Sequence, residues 1–476
     1  MTTAAALWRE GAAEAALALA WKDYDAAPGS RAASVLLARI LRENPTLAVA
    51  EREAALCALL TNPDVDPAAV SEAGWLLALR GDVLSQDSGF EAMARRVEGS
   101  ALVLTLLRED IVTVLAAETA LTALRRWLLL GGRWSAFPKT AAALIAQAGM
   151  NGGAWLFDDK ERARFAGDDG IAPAFRRAAQ GRPRDFADAT TRAVAEQYEA
   201  WPYPMWHRVM AGDPLTLAQE VRERDPGGPE AIAEPGEILI AGCGTGRQAA
   251  IRARRAPHDK ITAIDLSEAS LDYARTRCAE LGLHGIAFRS LDLHEAGSLG
   301  RKFDVVECTG VLHHLPDPEK GWAALAGVLK PGGAMHIMVY SRIARLRVAA
   351  RRRYLSDLES RPIDDDVLRE ARRRMMALPA AAMPRGREFS ALAHVHDLLL
   401  HRHEDPFDIA RIRRGLDALG LRLIRFELPR QRDRVAYRAA NPQDPLQRDF
   451  DAWSAFERDR PTVFAGMYDF WCRKPL

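Results

Sequence analysis

The sequence predicts an α/β fold, a parallel sheet with helices on both faces, joined to an all-α N-terminal domain. Three observations predict it. After Pro235, short β-type runs alternate with helical segments; before about Gly181, helical periodicity dominates; and a glycine-rich turn, Gly242-Cys243-Gly244-Thr245-Gly246, ends the first of the β-type runs. Strands alternating with helices at this interval need crossover connections, which make neighbouring strands parallel. At 476 residues the chain is too long for one core, so length alone calls for more than one domain.

The N-terminal domain is expected over residues 1–185. Ala, Leu, Glu and Arg dominate it, with apolar residues at three- and four-residue spacing in Ala33–Leu41, Val70–Leu79 and Ala101–Leu107. Breaks are expected at Pro28-Gly29, Asn44-Pro45, Asn62-Pro63 and near Gly131-Gly132. Ala12–Pro45 has the length and alanine placement of a tetratricopeptide-like helical pair, without a second copy at a fixed period. Gly167–Phe186, rich in Gly, Asp, Pro and Arg, reads as a linker. An aromatic segment follows within residues 186–212, where Pro202 and Pro204 hold Tyr198–Trp206 extended.

The α/β domain is expected over residues 213–476. Its strands are predicted at Glu237–Ala241, Lys260–Ile264, Ile286–Ser290, Phe303–Cys308 and Ala334–Val339, with helices at Ser270–Leu281 and Lys320–Leu329. An arginine-rich helical insertion at about 342–405 interrupts the alternation. It resumes with a helix at Ile409–Leu419 and strands at Leu421–Leu428 and Met467–Cys472.

Composition narrows the function classes. Hydrophobic residues make up 48% and charged residues 27%, as in an ordinary globular protein, and a net charge of +1 provides no field that would demand nucleic acid or a membrane. The five cysteines (Cys57, Cys243, Cys278, Cys308, Cys472) form no C-x-x-C pair, which fits a reducing compartment and argues against disulfides or a thiolate zinc site. No uncharged apolar run approaches the roughly 18 residues of a membrane span. The alanine-rich start carries Glu10 and Glu14 and no basic region, unlike a signal peptide. A cytoplasmic location is expected.

The glycine loop follows the apolar run Ile238–Ala241 and precedes a helix-compatible segment. Glycines let the backbone turn sharply and approach a ligand, and the next helix N-terminus offers free N–H groups. By itself such a turn also ends many buried strands. Two carboxylates add to it. Asp265 ends the next strand, nineteen residues after Gly246, where an acid accepts both hydroxyls of a ribose. Asp292 stands just past the third strand, within reach of an adenine amino group. A strand-end acid also serves as a helix N-cap, a role that Ser267 fits better than Asp265. A dinucleotide fingerprint requires G-x-G-x-x-G, and its last position here is Arg247, so the G-x-G-x-G spacing suits the amino-acid moiety of S-adenosylmethionine better than a pyrophosphate.

With Asp265-Leu266-Ser267, Ser290–Leu293, the run Phe303–Leu315 that contains His313-His314, and the turn Leu329-Lys330-Pro331-Gly332-Gly333, the chain resembles the class I methyltransferase superfamily. The match covers about residues 190–345 well and the C-terminal third loosely. The resemblance implies a Rossmann-like class I methyltransferase sheet and S-adenosylmethionine as cofactor. Gly242, Gly244 and Gly246 would line its methionine end, Asp265 would hold the ribose, Asp292 with Leu293 would contact adenine, and Cys243, Gln248, Leu266 and Thr309 would also bind the cofactor. The whole chain is similar to bacterial methyltransferases with an N-terminal tetratricopeptide-like domain.

Tyr198 and Tyr203 stand where similar enzymes place a lid, since a sulfonium favours aromatic faces and a closed site excludes water; the alternative is a staple between domains. His313 and His314 follow the fourth strand, and Tyr340 ends the fifth, all toward the expected acceptor mouth. In-line displacement gains most from alignment, and a histidine there either removes a proton or only shapes the loop. No Asn/Asp-Pro-Pro-Tyr/Phe signature is present, which leaves carboxylate, hydroxyl, carbon or amine acceptors. No metal is expected, although His394, His396, His401 and His403 lie beside Asp397, Glu404 and Asp405. The arginines between Arg342 and Arg374 alternate with acids as in a solvated, ion-paired face, so nucleic acid is not expected. The expected acceptor is a peptide or protein presented with help from the helical domain. The alternatives are a small-molecule acceptor with a dimerising helical domain, giving a homodimer, and a non-catalytic S-adenosylmethionine-binding scaffold.

Overall fold

The computed structural model describes residues 3–166, 188–206, 208–210, 214–379 and 387–476. The linker expected at Gly167–Phe186 lies outside the described residues. The chain divides into two compact units. One comprises Met1–Ala178, Met205–Met210 and Tyr354–Leu399, the other Ala179–Pro204, Ala211–Arg353 and Leu400–Leu476. This division departs from the sequence boundaries at the insertion, most of which groups with the N-terminal helices rather than with the sheet.

In the first unit the expected breaks separate helices. Ala13–Ala26 ends before Pro28-Gly29, and Arg31–Glu43 starts at Ser30, whose side chain accepts from Ala33 N. Leu37, Ala38, Ile40 and Leu41 form the buried stripe of that second helix. Ser100 caps Ala101–Glu109 in the same way, and Leu102, Val103, Leu106 and Leu107 are buried. The buried Gln147 amide is satisfied: it bonds Val112 N, Leu107 O and Asp110 O.

Buried ion pairs explain why Tyr354–Leu399 belongs here. Arg372, on the helix Asp365–Met376, is 1% exposed and meets both oxygens of Glu118 at 2.6 Å, while its Nε donates to Phe389 O at 2.8 Å. Arg369 donates to Gly153 O at 2.9 Å and lies over the Phe157 ring. The sequence pattern suggested a solvated arginine face. The structure buries Arg369 and Arg372 and leaves Arg373 and Arg374 outside, paired with Glu370.

The second unit is built on a seven-stranded sheet of order β3-β2-β1-β4-β5-β7-β6. The strands are β1 (Glu237–Ala241), β2 (Lys260–Asp265), β3 (Ile286–Ser290), β4 (Phe303–Thr309), β5 (Leu329–Tyr340), β6 (Arg422–Glu427) and β7 (Met467–Arg473). The first five are parallel, and β7 runs antiparallel between β5 and β6. The last pairing therefore makes the sheet mixed rather than wholly parallel. β1 pairs with both β2 and β4, so strand order reverses there. Ligands of such sheets bind beyond the carboxyl ends of the strands at this reversal. No helix among the described residues is long and apolar enough to cross a membrane.

A buried charge network braces the centre of the sheet. Arg252, on the helix Arg247–Arg255, binds Glu307 of β4 at 2.5 Å and also Glu220 on the helix Leu217–Arg224. Burial opposes ionisation of Glu307, but Arg252 prevails and holds its carboxyl below the usual range. Gln248 Nε2 donates to the other Glu307 oxygen at 3.0 Å.

Candidate active site

The site forms where β1, β2 and β4 end. Gly242 N and Cys243 N both donate to Ile264 O at 2.9 Å, which turns the loop over the end of β2. Gly244 N donates to Asp265 Oδ2 at 2.7 Å, and Ser267 N donates to Oδ1 at 2.9 Å. Two glycines are required here by space and conformation. Gly244 (φ +51°) would place a Cβ 2.5 Å from Tyr203 O, and Gly246 (φ +78°) would place one 2.6 Å from Ala274 Cβ.

Asp265 keeps acceptor capacity beyond these backbone bonds, because a carboxylate offers about four lone-pair sites. Burial raises its pKa, and the backbone donors oppose that rise. Asp292 caps the short helix Leu293–Leu299 through His294 N at 2.9 Å and meets His294 Nδ1 at 2.8 Å. Burial pushes its carboxyl up, but the His294 bonds prevail and lower it. Ser267, not Asp265, caps the next helix, Glu268–Glu280, by accepting from Ser270 N at 3.0 Å.

These ends open into a cavity of about 340 Å³. Of the residues expected from sequence, Tyr198, Tyr203, Gly242, Cys243, Gly244, Gln248, Asp265, Leu266, Asp292, Leu293, Thr309 and His314 border it. Gly246 does not; it packs behind the loop and starts the helix Arg247–Arg255. His313 and Tyr340 do not border it either. His313 is fully buried, its ring 3.9 Å from that of Tyr340, and its Nδ1 accepts from Tyr340 N at 3.2 Å. Burial, with His314 beside it, drives the His313 pKa well below its ordinary value.

One wall is the helix Ala189–Ala200. Thr191, Val194, Ala195 and Tyr198 line the cavity at i, i+3, i+4 and i+7, so a single face covers it. Asp188 caps its start, accepting from Thr191 N at 2.8 Å. Beyond it, Tyr203 O accepts from Thr245 N at 3.3 Å and Pro204 O from the Thr245 hydroxyl. Tyr198 OH lies 3.1 Å from His401 Nε2, and the His401 ring stacks on His314 at 3.7 Å. His314 Nδ1 donates to His403 O at 2.9 Å, which leaves Nε2 as the acceptor nitrogen. Burial lowers the His314 pKa to about 4.

Sequence reasoning missed several lining residues. Thr191, Val194 and Ala195 carried a readable signal in their three- and four-residue spacing. Met338, also on the wall, lies in the predicted strand Ala334–Val339, whereas Met467 carried no signal, because β7 reaches β5 from far along the chain. Of the histidine-rich stretch, His394 bonds Arg387 O, His403 meets Leu315 O at 3.1 Å, and Glu404 pairs with Arg345.

The Methyltransferase domain family matches residues 238–333 of this chain. An uncharacterized protein of Synechococcus sp. is 32% identical over 298 residues, covering 57% of this chain and 68% of that protein. The ubiquinone biosynthesis O-methyltransferase of Alkalilimnicola ehrlichii is 40% identical over 97 residues, but that covers only 20% of this chain and 38% of the relative. Among solved structures, PKMT2 from Rickettsia typhi in complex with AdoHcy is 15% identical with a TM-score of 0.37, covering 50% of this chain and 48% of that one. The chain thus belongs to one family with the Synechococcus protein, and it is an enzyme of the class I S-adenosylmethionine-dependent methyltransferases.

Proposed function

We propose that the enzyme transfers the methyl group to a side chain of a peptide or protein that reaches the cavity from its mouth. The observation that carries this reading is the cavity itself. At about 340 Å³ it lies at the low end of the roughly 300–1,000 Å³ that holds a single ligand. One adenosyl-sized molecule would take up most of that space, which leaves room at the mouth for a projecting group of the acceptor. The helical unit, which has its own core, would present the polypeptide.

The cofactor supplies an electrophilic methyl group on a sulfonium centre. Asp265 binds the ribose hydroxyls and Asp292 with Leu293 the adenine, while Gly242 and Gly244 let the backbone approach the methionine end. Tyr198 and Tyr203 close the site and exclude water. His314, neutral at physiological pH, orients the acceptor through Nε2 and does not store its proton. The gain in rate comes from alignment of nucleophile, methyl and sulfur. His313 and Tyr340 shape the wall behind His314.

A second reading, a small hydroxylated acceptor, is favoured by the similarity to ubiquinone biosynthesis O-methyltransferases. Labelled methyl transfer into a fractionated cell extract separates the two. Label in the macromolecular fraction supports the first reading, and label confined to small molecules overturns it.

A further inference from the structure

Three side chains hold the C-terminal turn of the helix Ala189–Ala200, the lid helix over the cavity: Gln197 Oε1 accepts from Arg402 N at 3.1 Å, Tyr198 OH meets His401 Nε2 at 3.1 Å, and Glu199 binds the start of another helix. Glu199 Oε2 accepts from the Ser267 hydroxyl at 2.9 Å and from Ala269 N at 3.2 Å. The Ser267 proton is shared with Tyr198 O at 3.2 Å, so the last turn of the lid helix sits directly on the start of the helix Glu268–Glu280. The first N–H groups of that helix have no partner within the helix itself, and its positive dipole end favours a carboxylate. Ser267 is also the residue whose N–H grips Asp265 Oδ1. Lid and ribose-binding turn therefore share one hydrogen-bonded junction.

The second attachment of this segment, from Tyr203 O and Pro204 O to Thr245, uses backbone carbonyls. Between the two attachments and Asp188 lies the helical face that covers the cavity. Lifting that face widens the path of a ligand beneath it, and lifting breaks the bonds to Glu199.

We propose that Glu199 is a positioning residue that holds the lid helix down over the cofactor and sets the rate at which S-adenosylmethionine enters and S-adenosylhomocysteine leaves. The inference rests on the cavity being the cofactor site, as argued above. Hydrogen bonds to a charged acceptor are stronger than neutral ones, so the charge as well as the shape of Glu199 matters.

The test measures release of labelled S-adenosylhomocysteine from the full chain, chased with excess S-adenosylmethionine. Glu199→Ala is expected to release it about tenfold faster, as follows from losing a charge-assisted hydrogen bond. Glu199→Gln, which keeps an acceptor oxygen without the charge, is expected to lie between. The unfolding midpoint of the cofactor-free protein should stay within about one degree of wild type for Glu199→Gln, since Gln keeps an acceptor oxygen for Ser267 and Ala269. Tight wild-type binding with unchanged release from both variants overturns the role of Glu199 alone. A wild-type protein that binds neither compound overturns the cofactor site and this inference together.

Discussion

Asp265 shows how one side chain serves both the loop and its ligand. Its oxygens tie Gly244 and Ser267 together, and the remaining lone pairs face the cavity that it borders. Replacing it with alanine removes about two charge-assisted hydrogen bonds, each worth roughly 1.5–3 kcal/mol. Asp265→Ala should weaken S-adenosylmethionine binding by at least about tenfold in calorimetry, and unchanged affinity would remove Asp265 from the site. Neutral buried histidines make a second prediction. Burial sets the pKa of both His314 and His394 to about 4, against roughly 6.5 when unfolded. Between these values the unfolded chain binds more protons than the folded one, so stability is full above about pH 6.5 and falls as pH drops toward 4. His294 and His336 are shifted upward, so their contributions are lost only as pH rises beyond 6.5. The two effects oppose each other between pH 7 and 6, so the urea midpoint should fall between pH 6 and 5; an unchanged midpoint there would contradict the burial of His314 and His394.

Elements hold these residues in place through buried contacts. Arg252 anchors its helix to β4 by meeting Glu307 and Glu220, all three nearly inaccessible to solvent. Breaking such a network by removing one partner costs about 3–5 kcal/mol, because charges remain buried without compensation. Arg252→Met should lower the urea midpoint accordingly. The glycine loop depends on space instead. Gly244→Ala would set a methyl group against Tyr203 O and force a left-handed φ on alanine. It should abolish most cofactor binding while far-UV circular dichroism stays native. Normal binding by this variant would mean that Tyr203 and Pro204 need not sit against the loop.

At the scale of the molecule, two compact units divide one chain that crosses between them more than once. Tyr354–Leu399 is inserted into the sequence of the sheet domain, yet its buried Arg372 is neutralised by Glu118 of the helical unit, and Arg369 donates to the Gly153 carbonyl there. Arg372→Met leaves the buried Glu118 without that partner, at a cost of about 3–5 kcal/mol. In differential scanning calorimetry the loss should fall on the unit that contains Glu118, and the stabilisation produced by S-adenosylmethionine should remain. An undisturbed thermogram would show that the insertion does not stabilise the helices.

What the sequence by itself determined is local. The strands β1 to β5, the glycine loop and the acids Asp265 and Asp292 each follow from short runs, where periodicity and turn chemistry act within a few residues. Because successive βα units repeat the same geometry, their strand ends meet in one place, and twelve anticipated residues border one cavity. Tertiary structure alone decided the rest. Met467 reaches the wall through antiparallel pairing of β7 with β5, Glu199 finds the start of another helix, and His313 turns into the core while its neighbour His314 faces the cavity. Whether Arg372 is a solvated charge or a buried anchor depends on an acid 254 positions away. Such contacts are set by packing between distant segments, and no spacing within the chain records them.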